Sequence, residues 1–217
     1  LKQHLAAEIS LLSILAFVLK LSCIRHTTVK IPVYCFHCED KTMRLIQSIN
    51  QFDARMFLAC VNTRHQKHLS RLARKVSKTG DGYTQLGLPI LVYAAGIEHG
   101  LAYLNAVFMS FAIWLPVYWA LKNSCKRRRP PAAIPKFCAS IIASDEFSFP
   151  SGHTAAAFLL ATMTVLFFGA IAAPLFLWAC AVAASRVILG VHFPTDTLAG
   201  ASLGIAIAHL GHSIAIA

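Results

Sequence analysis

From Thr154 to Ala184 the chain carries no charged side chain. A stretch that long and apolar belongs in the hydrocarbon core of a bilayer. Drawn as one helix from His153 to Arg186 it would be about 50 Å long at 1.5 Å per residue, well over the ~30 Å core. Gly169 and Pro174 offer a break, so the segment reads as two spans, at about 150–169 and 172–190. Composition agrees. The 217 residues are 57% hydrophobic and 13% charged, and mean hydropathy is +0.60. Soluble domains sit near a quarter charged, and disordered chains are marked by low hydrophobicity, so both classes are excluded. The expectation is a single membrane-embedded domain over residues 1–217, an all-α polytopic helical bundle.

The other spans follow from the same pattern. Residues 5–24 are mostly apolar, with Glu8 and Lys20 inside, and read as a weak first span that is retained, since no small-residue cleavage site stands out. Residues 83–97 are short for a span and reach 18 residues only with Gly80–Gly82. Glu98-His99-Gly100 is a tight polar turn. Residues 101–121 form a clear span, with Trp114, Tyr118 and Trp119 near its end at a depth that suits the interface. The last span is 196–216, where Gly200 and Gly204 make a small-xxx-small packing face. The count is about six transmembrane helices. To these, residues 53–78 add an interfacial amphipathic helix. Leu69, Leu72, Ala73 and Val76 take one face, and Arg71, Arg74, Lys75 and Lys78 the other. Gly80-Asp81-Gly82 then breaks it.

That count decides geometry. The loop 122–150 precedes the uncharged pair of spans, and two crossings later Arg186–Asp196 returns to the same side. Three polar segments, Lys122–Pro130, Pro150–His153 and Ser185–Asp196, therefore converge on one membrane face. Were 153–186 a single helix, they would lie on opposite faces.

Charge narrows the partners. Twenty Lys and Arg against nine Asp and Glu give +11. Eighteen of the twenty lie in 25–82, in 122–136 or at Arg186, so they border the spans rather than fill them. Basic borders suit anionic lipid head groups. Nucleic acid is the other usual partner of a basic chain, but no nucleic-acid motif appears and none is expected to bind. The seven cysteines are odd in number and scattered, so they form no disulfide framework. Cys35 and Cys38 are a lone CxxC with no second pair, which falls short of the four ligands of a structural zinc site.

The three convergent segments carry chemistry suited to a phosphate ester. They read Lys122-x6-Arg129-Pro130, Pro150-Ser151-Gly152-His153 and Ser185-Arg186-x5-His192-x3-Asp196. Phosphoryl transfer spreads negative charge over equatorial oxygens, and fixed cations and backbone N–H groups must be aimed at them. Lys122, Arg129 and Arg186 supply cations, and an arginine fork grips two oxygens at once. Ser151-Gly152-His153 opens a helix whose free N–H groups and positive dipole end favour an anion. Gly152 allows close backbone approach, and Ser151 adds a hydroxyl. Asp196, about one helical turn after His192, is placed to accept the ring N–H and fix its tautomer.

Together these segments resemble the three-part signature of the type 2 phosphatidic acid phosphatases, a superfamily (PAP2) that also includes bacterial acid phosphatases and vanadium haloperoxidases. Every defining position is matched in order across residues 122 to 196, and the flanking spans agree with the integral-membrane lipid phosphatase branch. The resemblance implies that His192 is the nucleophile and forms a phosphohistidine. It implies that His153 protonates the leaving alkoxide and then activates water. It implies no metal and no cofactor. The expected substrate is a lipid phosphate: phosphatidic acid, phosphatidylglycerol phosphate, an isoprenyl diphosphate such as undecaprenyl diphosphate, or a lipid A phosphate. A lipid phosphotransferase using the same site is the close alternative. A non-enzymatic transport component would place polar groups at mid-membrane, whereas here they cluster at span ends.

Other polar residues read as ordinary. Lys126, Arg127 and Arg128 are head-group anchors, His99, His209 and His212 are core residues, and His65 and His68 face solvent. Orientation has two conflicting signals. The resemblance implies a site facing the periplasm of a bacterial cytoplasmic (inner) membrane, with both termini cytoplasmic. The positive-inside rule points the other way, because the motif side holds eighteen of twenty cations. Three of these, Lys122, Arg129 and Arg186, have catalytic reasons to be there.

Overall fold

The computed structural model describes residues 41–143 and 145–216. The expected first span, 5–24, and the Cys35/Cys38 pair lie outside the described residues. Among the described residues the chain is helical, with eight α-helices and no strand: α1 Lys41–Val61, α2 Gln66–Thr79, α3 Gly82–Ala94, α4 Gly100–Cys125, α5 Pro130–Ala133, α6 Gly152–Phe168, α7 Pro174–Ile188 and α8 Pro194–Ala215. A 3₁₀ turn, Gly169–Ala172, joins α6 to α7. The expected break therefore falls where Gly169 and Pro174 stand. Gly169 takes φ +70, a left-handed value that favours glycine, and Pro174 starts the next helix.

Among the described residues, three helices are long and apolar enough to cross a membrane: α4, α6 with its 3₁₀ extension, and α8. The α7 helix is apolar but has only 15 residues, and α3 has 13, about 20 Å of helix. The chain is thus a helical membrane protein.

The packing centre is α6 held between α4 and α8. Tyr103, Leu159, Leu160, Met163, Leu203 and Ile207 form the core there, and the Tyr103 hydroxyl meets Thr164 Oγ1 at 2.8 Å. The small-residue face of α8 behaves as its spacing predicts. A Cβ on Gly200 would stand 2.5 Å from the Ser151 carbonyl oxygen, and one on Gly204 would collide with the Ala155 carbonyl. Close backbone contact between α6 and α8 brings the second and third motifs together, and the Ser151 N–H donates to the Asp196 carbonyl at 3.0 Å.

The amphipathic segment departs from expectation. Residues 53–78 are not one helix, because Asn62–His65 form a turn between α1 and α2. The buried face of α2 matches the predicted one only in part. Ala73 is buried against Leu189 and Val191, and Val76 is half-buried against Val182, but Ser70 and Ser77 are buried beside them while Leu72 is 61% exposed. The reason is polar docking onto α7 and its neighbouring loop. Gln66 Nε2 donates to the Ile188 carbonyl at 3.1 Å, Ser70 meets Ser140 at 3.2 Å, and Arg186 donates to Ser77 Oγ at 2.6 Å. Arg71, Arg74, Lys75 and Lys78 remain exposed, as their pattern predicts. Helix α1 docks beneath the loop before α8: Phe57 packs edge-on against Phe193 and Phe137, with ring centroids 5.4 and 5.0 Å away.

Candidate active site

The three motifs meet at one cavity of about 570 Å³. Lys122 ends α4, Arg129 precedes α5, Gly152 and His153 open α6, Arg186 ends α7, and His192 lies in the turn before α8; all six line it. Lys122, Arg129 and Arg186 are each under 10% exposed, and His192 is 2% exposed. Leu86, Phe108, Phe111, Trp114 and Ala156 form an apolar part of the wall.

His192 is fixed by its neighbours. Its Nδ1 lies 2.7 Å from the Ser148 carbonyl oxygen, which can only accept, so Nδ1 carries the proton and Nε2 keeps the lone pair. Nε2 sits 3.4 Å from Arg129 Nη1. This corrects the expected role of Asp196. Its Oδ2 is 3.8 Å from His192 Nδ1, beyond hydrogen-bond length, because the Ser148 carbonyl occupies that position. Asp196 instead caps α8, accepting the Phe193 N–H at 2.8 Å, and pairs with Arg127 at 2.7 Å. Burial pushes the His192 ring down to about 4; Asp196 opposes this, while Arg129 and Arg186 reinforce it.

Arg127 is a second correction. Read from sequence as a head-group anchor, it is turned inward between two fully buried carboxylates, Asp53 at 2.6 Å and Asp196 at 2.7 Å. Asp53 also accepts from the Thr195 backbone N–H at 3.1 Å and from its hydroxyl at 2.5 Å. A buried cation needs such partners. Their effect is to tie α1 to the start of α8, directly beside His192.

Ser151 departs from expectation, and Gly152 has a further steric role. Ser151 is fully buried, and its hydroxyl meets Thr154 Oγ1 at 3.0 Å rather than lining the cavity. A Cβ on Gly152 would stand 3.0 Å from the Tyr118 hydroxyl, so glycine there admits the tyrosine ring. Tyr118 stacks on Trp114, centroids 4.9 Å apart. Both were read as interface aromatics, yet they line the cavity; Trp119, 68% exposed, fits that reading.

Sequence reasoning also missed Asp145. Its carboxylate bridges Lys122 and Arg129, one oxygen to each, and the Tyr118 hydroxyl donates to it at 3.1 Å. Burial alone would raise its carboxyl; Lys122 and then Arg129 offset this and hold it below the ordinary carboxylate range. An acid in the variable loop 131–149 carries no motif that would have singled it out, whereas Tyr118, one turn before Lys122 on the same helix face, was open to inference. His153 Nε2 lies 2.9 Å from Asp81 Oδ1, across from the glycine break before α3. Among the described residues no group of His, Cys, Asp and Glu is arranged to hold a metal ion.

The sequence model of the PAP2 superfamily matches residues 99–216. Decaprenylphosphoryl-5-phosphoribose phosphatase of Mycobacterium tuberculosis is 32% identical over 98 residues, 43% of this chain and 51% of that protein. The chain thus spans about half the length of the curated relatives it matches. Among solved structures, the transmembrane PAP2 type phosphatidylglycerolphosphate phosphatase of Bacillus subtilis superposes with a TM-score of 0.66 at 25% identity, covering 94% of both chains. LpxE of Aquifex aeolicus superposes with a TM-score of 0.61 at 28% identity, covering 72% of this chain and 92% of that one.

The depressed His192 ring has a measurable consequence for stability. In the unfolded chain the ring takes up a proton below its ordinary value near 6.5, while in the fold it stays neutral until about 4. The unfolded state therefore binds more protons in that window, and stability falls as pH drops from about 6.5 towards 4. Thermal unfolding in detergent should show a larger loss between pH 7 and pH 5 for wild type than for His192→Gln. Equal losses would show that His192 titrates normally in the fold.

Proposed function

Since the chain belongs to the PAP2 superfamily, we propose that it is an integral-membrane lipid phosphatase that works through a phosphohistidine at His192. The observation that carries this reading is the seat made by Lys122, Arg129 and Arg186 around His192 Nε2. Two of its three cations already hold a carboxylate, that of Asp145, in the manner they would hold phosphate oxygens. Arg186 Nε is buried with no partner among the described residues, so one more donor is uncommitted.

In this mechanism the cations bind the phosphate oxygens and neutralise charge as it develops. Nε2 of His192 attacks phosphorus while the ester P–O bond breaks. His153 gives a proton to the leaving alkoxide, then takes one from the water that attacks the phosphohistidine, releasing inorganic phosphate and restoring both rings. Asp196 acts on His192 indirectly, by fixing the turn at Phe193. No metal takes part. The apolar wall of Leu86, Phe108, Phe111 and Trp114 suits an acyl or isoprenyl chain, so the substrate is a lipid phosphate monoester or diphosphate. Among the relatives, the lipids acted on include decaprenylphosphoryl-5-phosphoribose and phosphatidylglycerol phosphate. A phosphotransferase is the same site with a lipid hydroxyl in place of water, and release of inorganic phosphate separates the two. The domain is single, with its motifs in 122–196. The sequence pattern supports about six transmembrane helices, and the site faces the periplasm.

Purified protein in detergent should release phosphate from a panel of lipid phosphates. His192→Ala and His153→Ala should lose at least about a thousandfold while remaining folded, and Asp196→Asn should lose less. Chelators should leave the rate unchanged and vanadate, which adopts the five-coordinate geometry of the transition state, should block it. Full activity in His192→Ala, or loss in EDTA restored by a divalent ion, would contradict the mechanism.

Orientation is testable at Ile142, which is 99% exposed in the loop on the motif side. In a cysteine-free background, Ile142→Cys should react with a membrane-impermeant thiol reagent in intact cells. Reaction only after lysis would place the site on the cytoplasmic side.

A further inference from the structure

We propose that Asp81 is a positioning residue for His153: its carboxylate holds the imidazole ring and stabilises the imidazolium that delivers the proton to the leaving oxygen. The inference rests on the phosphatase reading above and adds to it a residue outside the three motifs.

Asp81 stands where an aspartate ordinarily caps a helix. It is the N-cap of α3, with extended backbone angles of φ −74 and ψ 162. Yet it makes no side-chain cap bond and forgoes the helix stabilisation such a bond gives. Its carboxylate instead reaches across the cavity mouth to His153 Nε2, 2.9 Å away.

The elbow that carries Asp81 is built rigidly. A Cβ on Gly80 would stand 2.8 Å from Val182 Cγ1, so only glycine lets the elbow press against α7. Gln85 Nε2 donates to the Gly80 carbonyl at 2.9 Å, the Thr84 hydroxyl donates to the Thr79 carbonyl, and Trp178 Nε1 donates to the Thr79 hydroxyl at 2.9 Å. One turn upstream, Ser77 accepts from Arg186. The elbow is therefore locked to the same helix that supplies a phosphate-binding cation.

The charges facing His153 give this contact work to do. Arg186, Arg129 and Lys122 share its cavity and disfavour a protonated ring; Asp145 also shares it but is held by Lys122 and Arg129. His192 faces it as a neutral ring, its Nδ1–H committed to Ser148. Asp81 is the carboxylate bonded to His153 directly. With Nε2–H donated to Asp81, the other ring nitrogen is left to face the leaving oxygen. As the P–O bond to that oxygen breaks, the proton moves from His153 to it, and Asp81 keeps its own charge throughout.

The test compares wild type, Asp81→Asn and Asp81→Ser on two substrates. Serine restores an ordinary N-cap, so it controls for helix stability. One substrate is a lipid phosphate, whose alkoxide leaves only with a proton. The other is p-nitrophenyl phosphate, whose phenolate leaves without one. Both variants should lose about a hundredfold in kcat/KM, which reports formation of the phosphohistidine, on the lipid phosphate and less than about fivefold on the aryl phosphate. The high-pH limb of the lipid profile should move to lower pH, because a less basic His153 gives up its proton sooner. Equal losses on both substrates with an unmoved limb would mean a structural role only. Unchanged or raised activity would mean that Asp81 merely occupies the leaving-group position. Wild type inactive on both substrates would instead refute the phosphatase reading itself.

Discussion

Three buried cations gathered around one cavity set the terms for the rest of this molecule. Lys122, Arg129 and Arg186 are nearly inaccessible, and each is costly to place at the end of an apolar helix. The fold meets that cost with carboxylates, carbonyls and hydroxyls drawn from distant parts of the chain. Asp145 bridges the first two, the Val191 carbonyl accepts from Arg129 at 2.6 Å, and Ser77 accepts from Arg186. The end of α2, the loop 131–149 and the turn before α8 are each anchored partly by this need.

The same logic extends one layer outward. The turn bearing His192 is held from below by Asp53, Arg127 and Asp196, and from the side by Gly190, whose φ of +82 and lack of a side chain admit the Phe137 ring. The close fit of α8 on α6 at Gly200 and Gly204 fixes the distance between the two histidine-bearing segments. Small residues and buried ion pairs thus do complementary tasks. Glycines bring backbones together, and carboxylates decide which cations point into the cavity.

Much of this was legible in sequence. The uncharged run with Gly169 and Pro174 located α6 and α7, and that break alone predicts that the three motifs share one face. The six cavity-lining motif residues fell where spacing placed them. What sequence could not show were the partners. Asp81 looks like punctuation in Gly80-Asp81-Gly82, Asp145 lies in a loop with no pattern, and Ser148 acts through a backbone carbonyl that any residue supplies. Arg127 was misjudged because a run of basic residues at a span end usually anchors head groups, and only tertiary structure reveals two buried carboxylates waiting for one of them. The docking of α2 was hidden in part for a related reason. Apolar periodicity finds greasy contacts such as those of Ala73 and Val76, but not the serines and the glutamine that dock beside them.

The account turns on Nε2 of His192 becoming covalently bonded to phosphorus. Rapid acid-free quenching of enzyme turning over a lipid phosphate, followed by peptide mass spectrometry under alkaline conditions, reads that bond directly. The account predicts an alkali-stable, acid-labile phosphoryl group on His192 that is absent when the substrate is omitted. A phosphoryl group on another residue, or turnover with none at all, would contradict it.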